Sequence, residues 1–119
     1  MIRFVLAFAL IPISLCAQQA VPRDTDQRLD QKALDTLLRG GTITFYDDGQ
    51  SRFYEDGRYT YTYANDGGTG YGYFTVMTDS TICIEFVTGA SRCDLYVFDE
   101  TDRLIVITEA GDRFPTRPR

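Results

Sequence analysis

From Thr81 to Asp99 the chain reads TICIEFVTGASRCDLYVFD, which predicts two β-strands joined by a tight turn. Each predicted strand carries one cysteine, Cys83 in the first strand and Cys93 in the second. A loop of three residues, Val87 to Gly89, places the two cysteines directly opposite each other. Glycine suits the end of such a loop, because the backbone there is left-handed. The sequence therefore predicts a disulfide-bonded hairpin, to which the remaining strands are added.

Both faces of this hairpin are mixed in polarity when the cysteines are paired. One face combines apolar, charged and aromatic residues: Ile82, Ile84, Phe86, Arg92, Asp94 and Tyr96. The other face adds four residues to the cysteines: Thr81, Glu85, Leu95 and Val97. A strand that covers a core normally turns a consistently apolar face towards it. We therefore expect a β-bulge near the turn, which shifts one strand relative to the other.

The chain begins with the features of a secretory signal peptide. Arg3 supplies a basic start, and Phe4 to Leu15 is an apolar run of 12 residues. A membrane-spanning helix needs about 20 apolar residues, so this run is too short to span a bilayer. Its length and basic flank predict a signal peptide over residues 1–17. Removing it leaves 11 basic and 17 acidic residues, a net charge of −6.

The signal peptide and the cysteines together predict a periplasmic or secreted protein. Cys83 and Cys93 form an even pair in the mature chain, and structural disulfides persist in oxidising compartments. Cys16 offers a less favoured alternative, a lipid anchor on the first mature residue. Leu15 argues against that anchor, because a lipidated cysteine normally follows a small residue.

The acidic charge and the absence of histidine exclude several functions. Nucleic-acid binding needs a cationic surface, as does attraction to anionic membranes. The sequence contains no histidine, which removes the commonest general base and the usual zinc ligand sets. The nine residues between the two cysteines differ from the C-x-x-C spacing of redox-active thiols. We expect no catalytic activity, no cofactor and no bound metal.

Acidic pairs and one glycine-rich segment are interpreted as turns. The acidic residues cluster at Asp47–Asp48, Glu55–Asp56 and Asp99–Asp102. At turn tips such carboxylates are normally solvated, and none of these segments has the spacing of an EF-hand calcium loop. The glycine-rich run from Asn65 to Gly72 lacks the lysine of a phosphate-binding loop.

Short β-type runs alternate with turn signals after Gly41. Clusters of glycine, aspartate and asparagine interrupt the chain between residues 47 and 112 and end the strands. The connections are too short for crossover helices, so neighbouring strands are expected to be antiparallel. The predicted fold is all-β, an antiparallel meander of about seven to eight short strands in a small barrel or a strongly twisted sheet.

One short helix is predicted before the strands. From Arg28 to Arg39 leucines and an alanine recur at helical spacing. Asp26 or Thr25 would cap its start, and Gly40 or Gly41 suits its end. The expected parts of the chain are a signal peptide (1–17), a flexible N-terminus (18–27), one β-rich domain with the helix (28–115) and an unpaired tail (116–119).

The last long strand is predicted to be covered on both sides. Leu104 to Ile107 are all apolar, which is typical of a strand buried on both faces. The N-terminal helix is the expected second cover.

Tyrosines supply the candidate binding face. Tyr59, Tyr61 and Tyr63 alternate along one predicted strand, and Tyr71 and Tyr73 are expected to continue the stripe on its neighbour. An exposed aromatic stripe could bind a glycan or a protein partner. The alternative, which we favour, is cross-strand packing of the rings in the core.

Turn and disulfide signatures occur in five segments: GTITFYDDG (41–49), YEDGRYTY (54–61), CIEF (83–86), SRCD (91–94) and LIVITEAGDRFP (104–115). In these segments the chain resembles small exported bacterial β-proteins of unknown function. The resemblance implies an exported, disulfide-bonded β-domain and carries no activity. The chain also resembles periplasmic lysozyme inhibitors, which are small disulfide-bearing β-barrels, although their inhibitory loop motif has no match here.

Three functions are compatible with these features. The leading hypothesis is a non-catalytic β-domain of the cell envelope with a binding or structural role, whose partner is a protein or a glycan. One alternative is a periplasmic inhibitor of a cationic enzyme such as lysozyme, acting through the acidic surface. The other is a small lipocalin-like carrier, which needs an open apolar cavity.

Overall fold

The computed structural model describes residues 21–119, so the predictions for the signal peptide, its cleavage site and Cys16 lie outside the described residues. Within this range the chain forms one helix and nine strands: β1 Gln27–Arg28, α1 Gln31–Leu38, β2 Thr42–Thr44, β3 Gln50–Phe53, β4 Arg58–Thr62, β5 Thr69–Val76, β6 Thr81–Phe86, β7 Ser91–Phe98, β8 Leu104–Ile107 and β9 Arg113–Pro115. Neither this helix nor any other part of 21–119 has the length and apolarity of a membrane-spanning helix.

Strands β2 to β9 form one sheet in chain order, and each strand pairs antiparallel with the next. The sheet curls into a half-barrel, which has a concave and a convex face. The predicted all-β antiparallel meander with one short helix is confirmed. The strands end where the sequence places glycine, aspartate or asparagine, because these residues favour the backbone conformations of turns.

The cysteine hairpin has the register that the three-residue loop predicts. Cys83 pairs directly with Cys93, and a disulfide joins them with their Cα atoms 4.0 Å apart. Gly89 has a φ of 93°, in the left-handed region that the loop requires. In the chain-entropy model this cross-link stabilises the fold by about 2.5 to 3 kcal/mol.

The expected β-bulge is wrong, because the pairing of β6 and β7 runs without a shift from Thr81–Leu95 to Glu85–Ser91. Arg92 and Asp94 therefore share a face with Ile82 and Ile84, and that face is the concave one. The concave face of the hairpin therefore carries both charged and apolar side chains.

Helix α1 is shorter than predicted and begins later. Gln27 and Arg28 pair with Phe98 and Val97 as a short strand, so they cannot belong to the helix. Asp30 is the N-cap in place of Asp26 or Thr25, and its carboxylate accepts a hydrogen bond from the Ala33 N–H at 2.7 Å. Gly40, with a φ of 82°, follows the last turn as predicted.

A flexible N-terminus was expected over residues 18–27, but residues 26–29 are tied to the sheet. The Asp26 carboxylate receives two hydrogen bonds from the Arg113 guanidinium, at 2.6 and 2.7 Å. The buried Ser80 hydroxyl accepts a hydrogen bond from the Leu29 N–H and donates one to the Tyr96 carbonyl. These contacts fix the segment to β7 and β9.

The C-terminal tail was expected to leave the sheet unpaired, and this expectation is also wrong. Thr116 forms an antiparallel bridge with Phe45, and the Arg117 N–H donates to the Thr44 carbonyl at 2.8 Å. Arg117 also forms an ion pair with Asp48 at 2.9 Å. The tail therefore links the two edges of the curled sheet, which satisfies backbone groups that an open edge would expose.

Both faces of β8 are buried, as predicted, but the helix is not the second cover. Leu34 and Leu38 of the helix belong to the concave core together with Leu104 and Val106. A second apolar cluster lies on the convex face and consists of Leu95, Val97, Ile105 and Ile107. Arg113 pairs with Ile107 on this convex face, and its guanidinium bonds Asp26.

The two ends of the half-barrel are built differently. In an antiparallel meander alternate connections lie at the same end, so residues 54–57, 77–80 and 99–103 share one end with the helix. We call this the closed end: Gln31 bonds the Val76 carbonyl there, and the Gly40 N–H bonds the Phe53 carbonyl. Residues 45–49, 63–68, 87–90 and 108–112 lie at the other end, which we call the open end.

Candidate functional site

A cleft of about 230 Å³ opens on the concave face at the open end of the half-barrel. Each of the four connections at this end, with its flanking residues, contributes to the cleft. The lining residues nearest these connections are Asp47, Tyr63, Phe86 and Thr108. Because the helix fills the other end, the cleft is bounded by core side chains on one side and open on the other.

Aromatic rings form the walls of the cleft. Phe45, Tyr61 and Tyr63 form a row, with ring centroids 6.2 Å apart in the first pair and 4.8 Å apart in the second. Phe114 adds an edge-on contact to Phe45 at 6.5 Å. Contacts of this geometry are favourable beyond the area that they bury, so the rings hold one another in place.

Two glycines of β5 leave room beside the tyrosines of β4. Gly72 lies opposite Tyr59, and Gly70 lies opposite Tyr61. A methyl group on Gly72 would collide with the carbonyl oxygen of Glu85 in the neighbouring strand. A methyl group on Gly70 would meet the Phe86 ring at 3.6 Å, an ordinary contact distance, so Gly70 keeps the cleft open without being required by the backbone.

An ion pair lies in the floor of the cleft. Arg92 Nε bonds Asp94 Oδ2 at 2.9 Å, and the Glu109 N–H bonds Asp94 Oδ1 at 3.1 Å. The Asp94 side chain is only 1% exposed, whereas that of Arg92 is 43% exposed. Both oxygens of the buried carboxylate are thus engaged, and the guanidinium is held by its Nε while its other end reaches the cleft.

The two charges of this pair respond differently to burial. Burial raises the pKa of Asp94, and the Arg92 charge and the Glu109 N–H oppose that rise only in part. Burial alone would lower the pKa of Arg92, but the Asp94 carboxylate outweighs it, and the net pKa is raised. The guanidinium is therefore a permanent positive charge in the cleft.

Tyrosine hydroxyls complete the floor. Burial raises the pKa of Tyr59 to about 12, and its hydroxyl shares a hydrogen bond of 2.8 Å with Ser51. Burial also raises the pKa of Tyr96 well above its usual value and raises that of Tyr61. All three phenols therefore stay protonated at neutral pH. No residue of 21–119 bonds the Tyr96 hydroxyl, and no fully buried side-chain atom in this range lacks a partner, so the hydroxyl touches the cleft even though Tyr96 is only 1% exposed.

The predicted tyrosine stripe divides between the two faces of the sheet. Tyr59 is buried, Tyr61 is half-buried and Tyr63 is 58% exposed, and all three line the cleft. Tyr71 and Tyr73 do not continue the stripe, because they pair with Thr60 and Arg58 on the convex face. Both are 59% exposed there.

Sequence reasoning missed the Arg92–Asp94 pair as part of a site. The signal was present, since the cysteine register already placed Arg92 and Asp94 on the apolar face of the hairpin. The prediction of a bulge assumed that every side chain on the inward face must be apolar. At the open end of a half-barrel, inward positions can instead line a cleft.

The cleft combines aromatic rings with protonated hydroxyls and one ion pair. Its hydroxyls have raised pKa values, and its one buried carboxylate is bonded at both oxygens. Across 21–119 no group of three or more acidic or cysteine side chains is placed to hold a metal ion. No family model, curated protein or solved structure matches this chain.

Proposed function

We propose that this chain is an exported, non-catalytic β-domain that binds a small ligand, or one side chain or chain end of a partner, in the cleft at its open end. The observation that carries the proposal is the cleft itself. Aromatic walls and a few convergent polar groups on a concave surface are the usual composition of a binding site.

The arrangement of polar groups supports binding over a purely structural role. A buried ion pair contributes little to stability compared with apolar residues of similar volume. The concave face is filled with apolar residues at its closed end, yet Arg92 and Asp94 occupy the equivalent inward positions at the open end. A structural domain would gain more stability from apolar residues there.

The size of the cleft limits the ligand. Ligand pockets for drug-sized molecules occupy roughly 300–1,000 Å³. The cleft measures about 230 Å³, so it suits a single ring with one substituent, or the terminal part of a longer chain. Phe53 and Phe74 fill the closed end, which leaves no lipocalin-like interior for a large apolar ligand.

An exported location is part of the proposal. The Cys83–Cys93 disulfide is compatible with an oxidising compartment. Export would remove residues 1–17 as a signal peptide, and the mature protein would then have a net charge of −6. Fractionation of the host cell, followed by mass spectrometry of the unreduced protein, tests the location and the absence of a lipid on Cys16.

The binding proposal is tested by titrating a library of small fragments into the disulfide-intact protein and recording tyrosine ring signals by NMR. We expect the signals of Tyr59, Tyr61 and Tyr63 to shift. Tyr71 and Tyr73 lie on the convex face and provide a control within the same spectrum. If no fragment moves the cleft tyrosines, or if both groups shift equally, the cleft is not a binding site. Turnover in a hydrolase screen that depends on one acidic residue would contradict the non-catalytic part.

A second candidate, inhibition of a cationic enzyme such as lysozyme, is favoured by the acidic mouth of the cleft. Asp47 and Asp48 lie in the connection at residues 45–49, and the chain as a whole is acidic. Lysozyme activity measured with excess protein tests it, and full activity removes this candidate. If inhibition occurs, Asp47→Asn should weaken it, whereas Asp102→Asn at the closed end should not.

A further inference from the structure

We infer that the cleft recognises a carboxylate attached to a small ring, through the free end of the Arg92 guanidinium. This inference rests on the proposed function and names the ligand class of the same cleft.

The first observation is the state of Arg92. Its Nε is bonded to Asp94, and its Nη1 and Nη2 donate to no residue of 21–119. The side chain is 43% exposed and lines the cleft. Arginine held by one nitrogen presents a planar pair of N–H groups whose spacing matches the two oxygens of a carboxylate.

The second observation is that the floor offers donors and few acceptors. Tyr96 lines the cleft and its hydroxyl is bonded by no residue of 21–119, and this hydroxyl stays protonated because its pKa is raised. Both oxygens of Asp94 already accept hydrogen bonds. A ligand that brings an acceptor can bond Arg92 and Tyr96 together, whereas a ligand that brings only donors meets another set of donors.

The walls define what the carboxylate is attached to. Tyr61 and Phe86 face the cleft from opposite sides of Gly70, and Phe114 lies near its mouth. A flat ring can stack on or meet the edges of these side chains. The volume of about 230 Å³ admits one such ring.

Acidic side chains near the cleft repel a negatively charged ligand and lower its affinity. Asp47 lines the mouth of the cleft, and the Glu109 charge is felt at Asp94. Asp94 also shares the Arg92 charge through its bond to Nε. A bound carboxylate is still favoured, because it contacts the free N–H groups directly, and Coulomb energy falls with separation and is screened over about 8 Å at physiological salt. Removing the Asp47 charge should therefore tighten the binding of an anion.

Two sources share this chemistry, a free aromatic carboxylate and the C-terminal carboxylate of a protein that ends in an aromatic residue. Benzoate represents the first source, and N-acetyl-phenylalanine represents the second. N-acetyl-phenylalaninamide is the matched control for the second, because it keeps the ring and loses the charge. Tighter binding of N-acetyl-phenylalanine than of benzoate would indicate a chain end as the natural ligand.

The decisive experiment titrates three probes of similar shape, benzoate, benzyl alcohol and benzylamine, into the disulfide-intact protein. The signals of the Arg92 Nε–H and of the tyrosine rings are followed by NMR. We expect benzoate to bind about tenfold or more tightly than benzylamine, because a hydrogen bond to a charged group is lost with the amine. Shifts should be largest at Arg92, Tyr59 and Tyr96.

Variants locate the interaction. Arg92→Lys keeps the charge beside Asp94 but loses the planar fork, and it should weaken benzoate binding about tenfold. Arg58→Lys is the matched control, since Arg58 lies on the convex face beside Asp56. Tyr96→Phe removes one hydroxyl and should weaken benzoate binding about threefold to tenfold without disturbing the ion pair. Asp47→Asn should strengthen it, whereas Asp102→Asn should not.

The outcomes separate the inference from the proposed function. If benzyl alcohol or benzylamine moves the cleft signals as strongly as benzoate, the carboxylate inference is overturned and the binding cleft remains. If Arg92→Lys and Tyr96→Phe both bind benzoate unchanged, the inference is also overturned. If none of the three probes moves any cleft signal, the inference is overturned, and the fragment titration then decides separately whether the cleft binds any ligand.

Discussion

The closed and open ends of the half-barrel share the same strands and the same concave face, yet they are filled in opposite ways. At the closed end Leu34 and Leu38 of the helix cover a core that contains the fully buried Phe53. At the open end an ion pair, three tyrosine hydroxyls and a cleft take the place of such a core. One end is therefore filled with apolar side chains, and the other exposes polar groups beside aromatic rings.

The difference shows how a short meander can pack one end and leave a cleft at the other. Alternate connections meet at one end of the sheet, so residues far apart in sequence converge there. The helix is needed only at the other end, where it covers apolar side chains that strands alone would leave exposed. The comparison can be tested by changes that should matter at one end and not at the other.

The largest difference is expected from removing a phenyl ring at each end. Phe53→Ala deletes a ring that is 0% exposed at the closed end, and we expect it to lower the free energy of unfolding by about 3 to 5 kcal/mol. Phe114→Ala deletes a ring that is 45% exposed at the open end, and about 1 kcal/mol or less should be lost. Urea denaturation of both variants measures the two losses.

Equal losses at both ends would show that the open end carries as much of the stability as the closed end. If Phe53→Ala does not fold, Phe53→Leu gives a smaller loss of the same sign and keeps the comparison measurable. Binding of benzoate should survive in the Phe53 variant that folds, because the ring does not line the cleft.

Much of the closed end could be predicted from the sequence, because local rules determine it. Helical spacing of leucines located α1, and glycine, aspartate and asparagine located the strand ends. At the open end the cysteine register also followed a local rule, because the three-residue loop from Val87 to Gly89 leaves only one pairing. The errors at the helix start and at the tail came from long-range pairing of Gln27–Arg28 and of Thr116, which no local pattern specifies.

The open end was predicted less well. Which face of the sheet a side chain occupies there depends on whether a connection has an odd or an even number of residues. The connection between β4 and β5 leaves four residues, 64–67, between the bonded Tyr63 and Gly68. With four residues Tyr71 lies opposite Thr60, and with three or five it would have shared the face of Tyr61. The glycine-rich sequence of this turn is compatible with each length.

A smaller difference is expected between two neighbouring glycines of β5. Gly72→Ala should lower the free energy of unfolding by about 1 to 3 kcal/mol, because the methyl group collides with the Glu85 carbonyl of β6. Gly70→Ala should be neutral or slightly stabilising, since its methyl group meets only the Phe86 ring and alanine restricts the unfolded chain. Thermal unfolding of the two variants measures the contrast.

Gly70→Ala also tests the cleft directly. Its methyl group projects beside Tyr61 into the cleft, so the variant should fold normally and bind benzoate more weakly than the unmodified protein. Unchanged binding would mean that the ring of the ligand does not lie between Tyr61 and Phe86. A strongly destabilised Gly70→Ala would mean that the strand is packed more tightly there than the contact of 3.6 Å indicates.

The smallest effect concerns pH, and the two ends should respond with opposite sign. In the closed-end connection, hydrogen bonds from the Arg103 N–H, and from Thr101, lower the pKa of Asp99 to about 2. Its ionised form is favoured by folding, so its contribution to stability is present above pH 3.8 and is lost as the pH falls towards 2. Asp94 at the open end has a pKa that burial raises above 3.8.

The folded state therefore favours protonated Asp94, and that contribution is present below pH 3.8 and is lost as the pH rises through the folded pKa. The cost of Asp99→Asn should shrink as the pH falls, whereas the cost of Asp94→Asn should shrink as the pH rises. Unfolding free energies of both variants measured from pH 2 to pH 7 give the two slopes. If the cost of both substitutions changes with pH in the same direction, the bonds from Arg92 and Glu109 favour the ionised form of Asp94, as the turn favours that of Asp99. The open end would then carry a preformed ion pair at every pH in this range, and benzoate binding should not change between pH 5 and 7.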